Sequence, residues 1–453
     1  MEIKIEIPTS YIQERIYALE RLFAYFKDIN ISIRSKNELN NCKIYLPNKS
    51  EITLEDHFWK DAKDIGFDFY NEQKIPSSIT TLNVEINKLN FPIVKLFGED
   101  SIQVNQNQCN CSVDLVASTF FMLTRWEEVV SSARDEHNRF PDEEALVIKN
   151  NVHQRAIVNE YIHFLKAIIE HLSHTVIEYS NSYRCFITHD VDEIFRFRPF
   201  SKWVKTLGAD LVRRKNPYEV LRTLYRGSLS YFNKYKDDSY TFDYLMDVSD
   251  KYGLKSHFYF IPGYKKEPDF RYDIRSKHLD ELINKINKKN HIVGIHPSYQ
   301  SMESFKYFKN EVTRLNSIAP LKIKEGRHHY LRFNIGETLL FWENCNLEVD
   351  SSIGFHNHLG FRCGFCYEFP IFDLKNRITL NLKERPLIMM DVASKREVNN
   401  EDELIKKVKE LKKEILKYQG DFVFLWHNNN LKHPFWRNYA KIYEKIVAEI
   451  YTS

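Results

Sequence analysis

Residues 186–195 read FITHDVDEIF, an apolar run that ends in Thr188, His189, Asp190, Val191 and Asp192. Two carboxylates and an imidazole within four residues, at the end of what reads as a buried strand, are groups that handle protons or ligate a divalent metal. Comparable side chains recur where other strand-like runs end: His296 after HIVGI, Arg327, His328, His329 and Tyr330 in KEGRHHYL, Asp350 in LEVD, and Trp426 and His427 in VFLWHNNN. Taken singly, Asp190 and Asp192 also read as caps of a following helix, His296 as a core histidine and His427 as part of a polar loop. Together, carboxylates and imidazoles at the ends of separate strands can converge on one divalent metal, which needs oxygen and nitrogen donors.

The elements that must position them follow from the pattern. From about residue 183, strand-like runs (YRCFITHD, KSHFYFI, HIVGIH, KEGRHHYL, LEVDSSI, PLIMMDV, DFVFLWHN) alternate with amphipathic helical segments. Such alternation predicts parallel strands with crossover helices, here an α/β fold with a deformed or incomplete (β/α) barrel over 181–453. In a barrel the loops at the C-terminal strand ends converge on the mouth, so the residues named above are the ones expected to meet. Residues 196–240, basic and aromatic, read as an insertion after the first strand. Residues 1–180 are expected to form a smaller α/β domain. It opens with the alternating EIKIEI and a helix carrying Ile12, Ile16, Leu19, Leu22 and Phe26, followed by strands at CKIYL and TLNVEI. A helix at SVDLVASTFFMLTRWEEVV has Ser112 as its cap, and another runs through QRAIVNEYIHFLKAIIEHL. Glu127, Glu128 and His153 there read as solvated or capping residues.

Composition narrows the function classes. Across 453 residues, 65 Lys and Arg nearly cancel 62 Asp and Glu, and a net charge of +3 without a basic stripe disfavours nucleic acid. Residues 1–30 carry acidic residues from position 2 and no apolar run, and no segment reaches the roughly 20 apolar residues that span a bilayer, so a cytoplasmic protein is expected. Seven scattered cysteines point to reduced thiols, with Cys363 and Cys366 a lone C-x-x-C.

The motifs, in order, resemble the polysaccharide deacetylases of the NodB-homology superfamily, carbohydrate esterase family four. THDVD stands in the place of that family's paired-aspartate motif; HIVGIHPSYQS resembles its first metal-histidine motif, EGRHHYLRF its arginine-proline-tyrosine element and VFLWHNNN its closing leucine-x-histidine motif. A closer resemblance is to a bacterial subgroup with an extra N-terminal domain and HDVD, HPSY, HYLRF and LWHN signatures. The resemblance covers residues 183 to about 430 and implies a metal-dependent hydrolase removing an N-acetyl group from an amino sugar. It implies Asp190 as base, Asp192 and His296 as ligands of a divalent metal, zinc by preference, and His427 as general acid. Arg327 and Arg362 are the candidates for holding Asp190 ionised, and Tyr330, Phe365 and Trp426 for stacking on the sugar. The family's second metal histidine falls on Gln300 here. His329 is the preferred replacement, with His328 or Asp350 as alternatives. The competing readings are a hydrolase of another small amide and a catalytically degenerate carbohydrate-binding protein.

Overall fold

The computed structural model describes residues 1–213, 215–263, 269, 272–432 and 441–451. A nine-stranded sheet organises the C-terminal part. Its hydrogen-bonded order is Phe369–Asp373, Ile378–Glu384, Val349–Asp350, Glu325–Gly326, Ile292–Ile295, Ser256–Phe260, Arg184–Val191, Asp421–Leu425 and Met389–Met390. Every neighbouring pair is parallel except the first, which is antiparallel. The central strands Ser256–Phe260 and Asp421–Leu425 are buried at every position, as parallel strands covered on both faces should be. Helices run between the strands as the alternation predicts, at Phe242–Lys251, Lys277–Lys288, Phe305–Asn316, Thr338–Asn344 and Glu401–Leu416.

Several sequence expectations change here, LEVDSSI and PLIMMDV shrinking to the two-residue strands Val349–Asp350 and Met389–Met390. KEGRHHYL forms only a two-residue strand, Glu325–Gly326, and then turns: Tyr330 and Leu331 have φ of 61° and 49°. The antiparallel pair at 369–384, not anticipated, packs Leu380, Leu382 and Glu384 inward while the residues between them stay exposed.

The N-terminal part holds a six-stranded sheet in the order Asn30–Ser35, Glu2–Ile7, Cys42–Tyr45, Glu51–Leu54, Gln108–Val113 and Gly98–Val104, with a separate hairpin of Thr80–Ile86 and Leu89–Lys95. Ser112 lies in a strand; Asp114 caps the helix Leu115–Thr124, accepting from the Ala117 N–H at 2.9 Å. That helix stops at Arg125, which adopts φ 51° and starts a second short helix, Trp126–Val130. Both parts share polar contacts: the Val158 N–H donates to Gly364 O at 2.8 Å, the Phe361 N–H to His153 O at 2.7 Å, and Arg377 pairs with Glu14. The insertion folds as helices Phe200–Gly208 and Pro217–Phe232 joined through a π-helical turn, Ala209–Arg213. All seven cysteines are free, and Cys363 and Cys366 are buried among apolar neighbours. No described helix is long and apolar enough to cross a membrane.

Candidate functional site

Side chains alternate along a strand, so in Arg184–Val191 Thr188 and Asp190 share a face with Asp192 just beyond, while His189 points to the other. His189 is accordingly a core residue. Its Nδ1 lies 2.8 Å from Trp426 O and its Nε2 3.2 Å from Ser256 Oγ, and burial pushes its pKa down to about 3.

Asp190 is buried beside a fully buried arginine. Arg327 Nη1 donates to Asp190 Oδ1 at 2.9 Å and to Thr188 Oγ1 at 3.0 Å, while its Nε and Nη2 donate to Ser351 O and Oγ at 2.7 and 2.9 Å. All three guanidinium nitrogens are thus held, and the Nη1 contact orients the Asp190 carboxylate through a charge-assisted hydrogen bond. Register makes this contact: Gly326 pairs with Ile295, and a Cβ on Gly326 would lie 1.8 Å from Ile295 O. Only glycine lets these backbones approach so closely.

Asp192, His296 and His329 form the one group among the described residues whose donor atoms could hold a metal ion together, all within 4.8 Å of one another. Each histidine has its ring oriented by its other nitrogen. His296 Nδ1 donates to Arg327 O, leaving Nε2 buried without a hydrogen bond, 3.6 Å from Asp192 Oδ1 and 3.7 Å from Asp190 Oδ2. His329 Nδ1 bonds Asp269 Oδ1, and its Nε2 lies 3.4 Å from Asp192 Oδ1. Hydrogen-bonded imidazoles aimed at a carboxylate, one with an orphaned nitrogen, fit the donor set of a catalytic zinc with open positions. Asp269, whose Oδ2 also accepts from the Tyr299 N–H at 2.9 Å, should therefore tune metal affinity. Asp269→Asn is expected to weaken metal binding about ten- to hundred-fold in chelator competition; unchanged affinity would remove Asp269 from this role.

Opposite them, His427 Nδ1 lies 2.7 Å from Asp391 Oδ1, and the His427 N–H and Asn430 Nδ2 donate to Asp391 Oδ2 at 3.0 and 2.7 Å. Burial opposes charge on this ring, but the Asp391 carboxylate outweighs it and raises the pKa to about 10. Asp190, Asp192, His296, His329, Tyr330 and His427 all line one cleft of about 640 Å³.

Other expected residues lie elsewhere. Arg362 is not brought to Asp190: it donates to Glu128 at 2.9 and 2.8 Å and to Gly354 O at 2.8 Å. Glu127 and Glu128 are not solvated: both are buried against Arg125, Glu128 also against Arg362, and Glu127 accepts the Leu146 N–H at the start of the helix Leu146–Lys149 at 3.2 Å. Breaking such a pair strands a buried charge. Arg362→Met should therefore cost about 3 kcal/mol in denaturant unfolding while leaving the metal donors intact; a change within about 0.5 kcal/mol would contradict the pairing.

Trp426 is buried against Phe424 and Tyr443 and presents no face to the cleft, and Phe365 packs on Tyr25, Tyr367 and Phe369. His328 is a neutral core residue, its Nε2 accepting from Trp342 Nε1 at 2.8 Å and its pKa pushed down by burial to about 3. Asp350 sits behind Arg327 in a fully buried carboxyl pair with Glu384, whose own pKa is pushed up by burial and the Asp350 charge. Gln300 stands at the residue before a short 3₁₀ turn, Ser301–Glu303, and makes no side-chain capping bond to it.

Sequence reasoning missed Asp269, Asp391 and the wall of the cleft that the N-terminal part supplies: Asp135, Glu136, His137, Arg139 and Glu143. Asp391 follows PLIMM, itself a predicted strand, so the strand-end rule could have found it. Asp269 stands in the aperiodic stretch YKKEPDFRYD, which gives no such signal. The wall is tied down by Arg139 Nη1 donating to Tyr330 O at 2.6 Å and Arg332 Nε donating to His137 O at 2.8 Å.

A model for a family of unknown function, DUF7033, matches residues 3–174. No curated protein matches the chain. Among solved structures, a Mycobacterium smegmatis protein named as a polysaccharide deacetylase is similar at 15% identity and a TM-score of 0.37, covering 60% of this chain and 85% of its own. A mutant of a CE4-family pseudoenzyme with restored enzymatic activity is similar at 10% identity and TM-score 0.30, covering 60% of this chain and 63% of its own. The CE4 domain of a xylanase from the hindgut metagenome of Trinervitermes trinervoides is similar at 10% identity and TM-score 0.26, covering 59% and 82%. With TM-scores below 0.5, the functional reading rests on the side-chain geometry.

Proposed function

We propose that the chain is a metal-dependent hydrolase that removes an N-acetyl group from an amino sugar in a polysaccharide, oligosaccharide or precursor, on an incomplete (β/α) barrel of the NodB-homology type. The observation that carries this reading is the meeting, in one cleft, of an arginine-held carboxylate, an Asp/His/His donor set and a carboxylate-paired histidine. Amide hydrolysis needs all three functions: a base for the attacking water, an electrophile for the carbonyl, and an acid for a poor leaving amine.

Asp192, His296 and His329 would hold the metal, for which we favour zinc. When bound, it would polarise the acetyl oxygen and ease deprotonation of a water. Asp190, oriented by Arg327, takes the proton of the attacking water. His427, kept protonated by Asp391, gives a proton to the departing sugar nitrogen, without which collapse would expel water instead of amine. Tyr330, at the cleft rim, is the aromatic we assign to the sugar.

Acetate release from N-acetylated oligosaccharides by the zinc-loaded protein tests the reading. Stoichiometric acetate and free amine are expected. Metal binding without acetate release from any N-acetylated saccharide would favour the carbohydrate-binding alternative.

A further inference from the structure

The insertion between the first strand of the large sheet and the helix Phe242–Lys251 takes no part in the chemistry above, yet it holds the most unusual surface of the molecule. Of 19 large apolar side chains exposed among the described residues, 11 lie between 196 and 240, a tenth of the sequence. They are organised. On the helix Pro217–Phe232, residues Tyr218, Leu221, Tyr225 and Phe232 fall within about 60° of one another at helical periodicity, and they are 61, 67, 63 and 87% exposed. The preceding helix adds Phe200 and Val204, one turn apart and 60 and 50% exposed.

The two helices meet through Trp203 of the first, which lies half-buried on the second. Trp203 Nε1 donates to Thr223 O at 3.0 Å, and a Cβ on Gly227 would meet the Trp203 ring at 2.0 Å. The outward apolar stripe is therefore not a core awaiting its partner helix. A groove of about 480 Å³ lined by Leu211, Lys215, Pro217, Val220 and Leu221 opens on the same segment.

Charge names the partner. The segment carries eleven Lys and Arg against four Asp and Glu, a net of +7, which leaves −4 for the rest of a chain whose total is +3. Lys205, Lys215 and Lys236 are exposed beside the aromatic residues. Exposed Tyr, Phe and Leu on an amphipathic helix flanked by lysine and arginine match the interface of an anionic bilayer, where aromatic rings sit at headgroup level and each basic side chain adds attraction.

The segment also lies at the cleft's end of the sheet. It begins four residues after Asp192; Thr241, where it closes, donates to Asn428 O at 2.7 Å, and Arg222 Nη2 donates to Lys432 O at 2.9 Å. We propose that residues 196–240 dock the protein in the plane of an anionic phospholipid surface, with the cleft held at that surface. The docking is independent of the reaction assigned to the cleft.

Co-sedimentation of the full chain with vesicles tests this, comparing phosphatidylglycerol mixed with phosphatidylcholine against phosphatidylcholine alone, at low and high salt. Binding is expected to the mixed vesicles and to weaken with salt. Tyr225→Ser with Phe232→Ser, and separately Lys205→Gln with Lys215→Gln, should each weaken it about ten-fold or more. These positions are exposed, so an unchanged thermal midpoint should accompany the loss. Wild-type protein that ignores anionic vesicles, or binds them equally well in both variants, would overturn the proposal. So would a concentration-dependent dimer abolished by the Tyr225/Phe232 variant in the absence of vesicle binding, which would assign the face to a second copy of the chain.

Discussion

Asp190→Asn should lower kcat/KM for deacetylation by about a thousand-fold while leaving bound metal unchanged. The substitution preserves shape and the contact with Arg327, because the amide oxygen can still accept from Nη1, but it removes the basic lone pair that the attacking water needs. The result separates Asp190 from Asp192, its neighbour two residues on, which the geometry groups with the two histidines as a donor. Metal content and steady-state rates on the same preparation check it. Loss of metal together with activity would make Asp190 a ligand, and retention of activity would leave the cleft without its base.

Asp391→Asn should lower kcat about a hundred-fold at neutral pH and move the alkaline limb of the rate profile to lower pH. The sign follows from the balance at His427: burial pushes the ring toward neutrality, and the Asp391 carboxylate outweighs it, holding the pKa at about 10. With that charge removed, burial remains, so the ring loses its proton at lower pH and the general acid is depleted where the wild type still holds it. The kcat–pH profile of both proteins decides the matter. An alkaline limb that stays in place would mean that His427 is not the acid, whatever the loss of rate.

Much of this site could be read from residue types at strand ends. Asp190, Asp192, His296, Arg327 and His427 stand where parallel strands terminate, and a rule about sheets was enough to group them. His329 is legible only through its neighbour Tyr330, and the structure places its Nε2 3.4 Å from Asp192 Oδ1. The failures share a cause. By residue type Arg362 and Trp426 suit the cleft, whereas their places are set by partners distant in sequence: Glu128, 234 residues away, for the arginine, and Tyr443 for the indole. The same holds for Asp269, whose link to His329 spans 60 residues, and for the loop 135–143 that walls the cleft. Periodicity carries local structure well; contacts of this range leave no periodic trace.

Joint ligation of one metal by Asp192, His296 and His329 is the arrangement on which the proposed reaction depends. Its most direct test is metal stoichiometry by elemental analysis, after zinc loading and desalting, of the wild type beside Asp192→Ala, His296→Ala and His329→Ala. One metal per wild-type chain, lost in all three variants while their thermal midpoints stay high enough to show folded protein, is the predicted result. Full metal retention in the folded His329→Ala variant, or no metal in the zinc-loaded wild type, would contradict it.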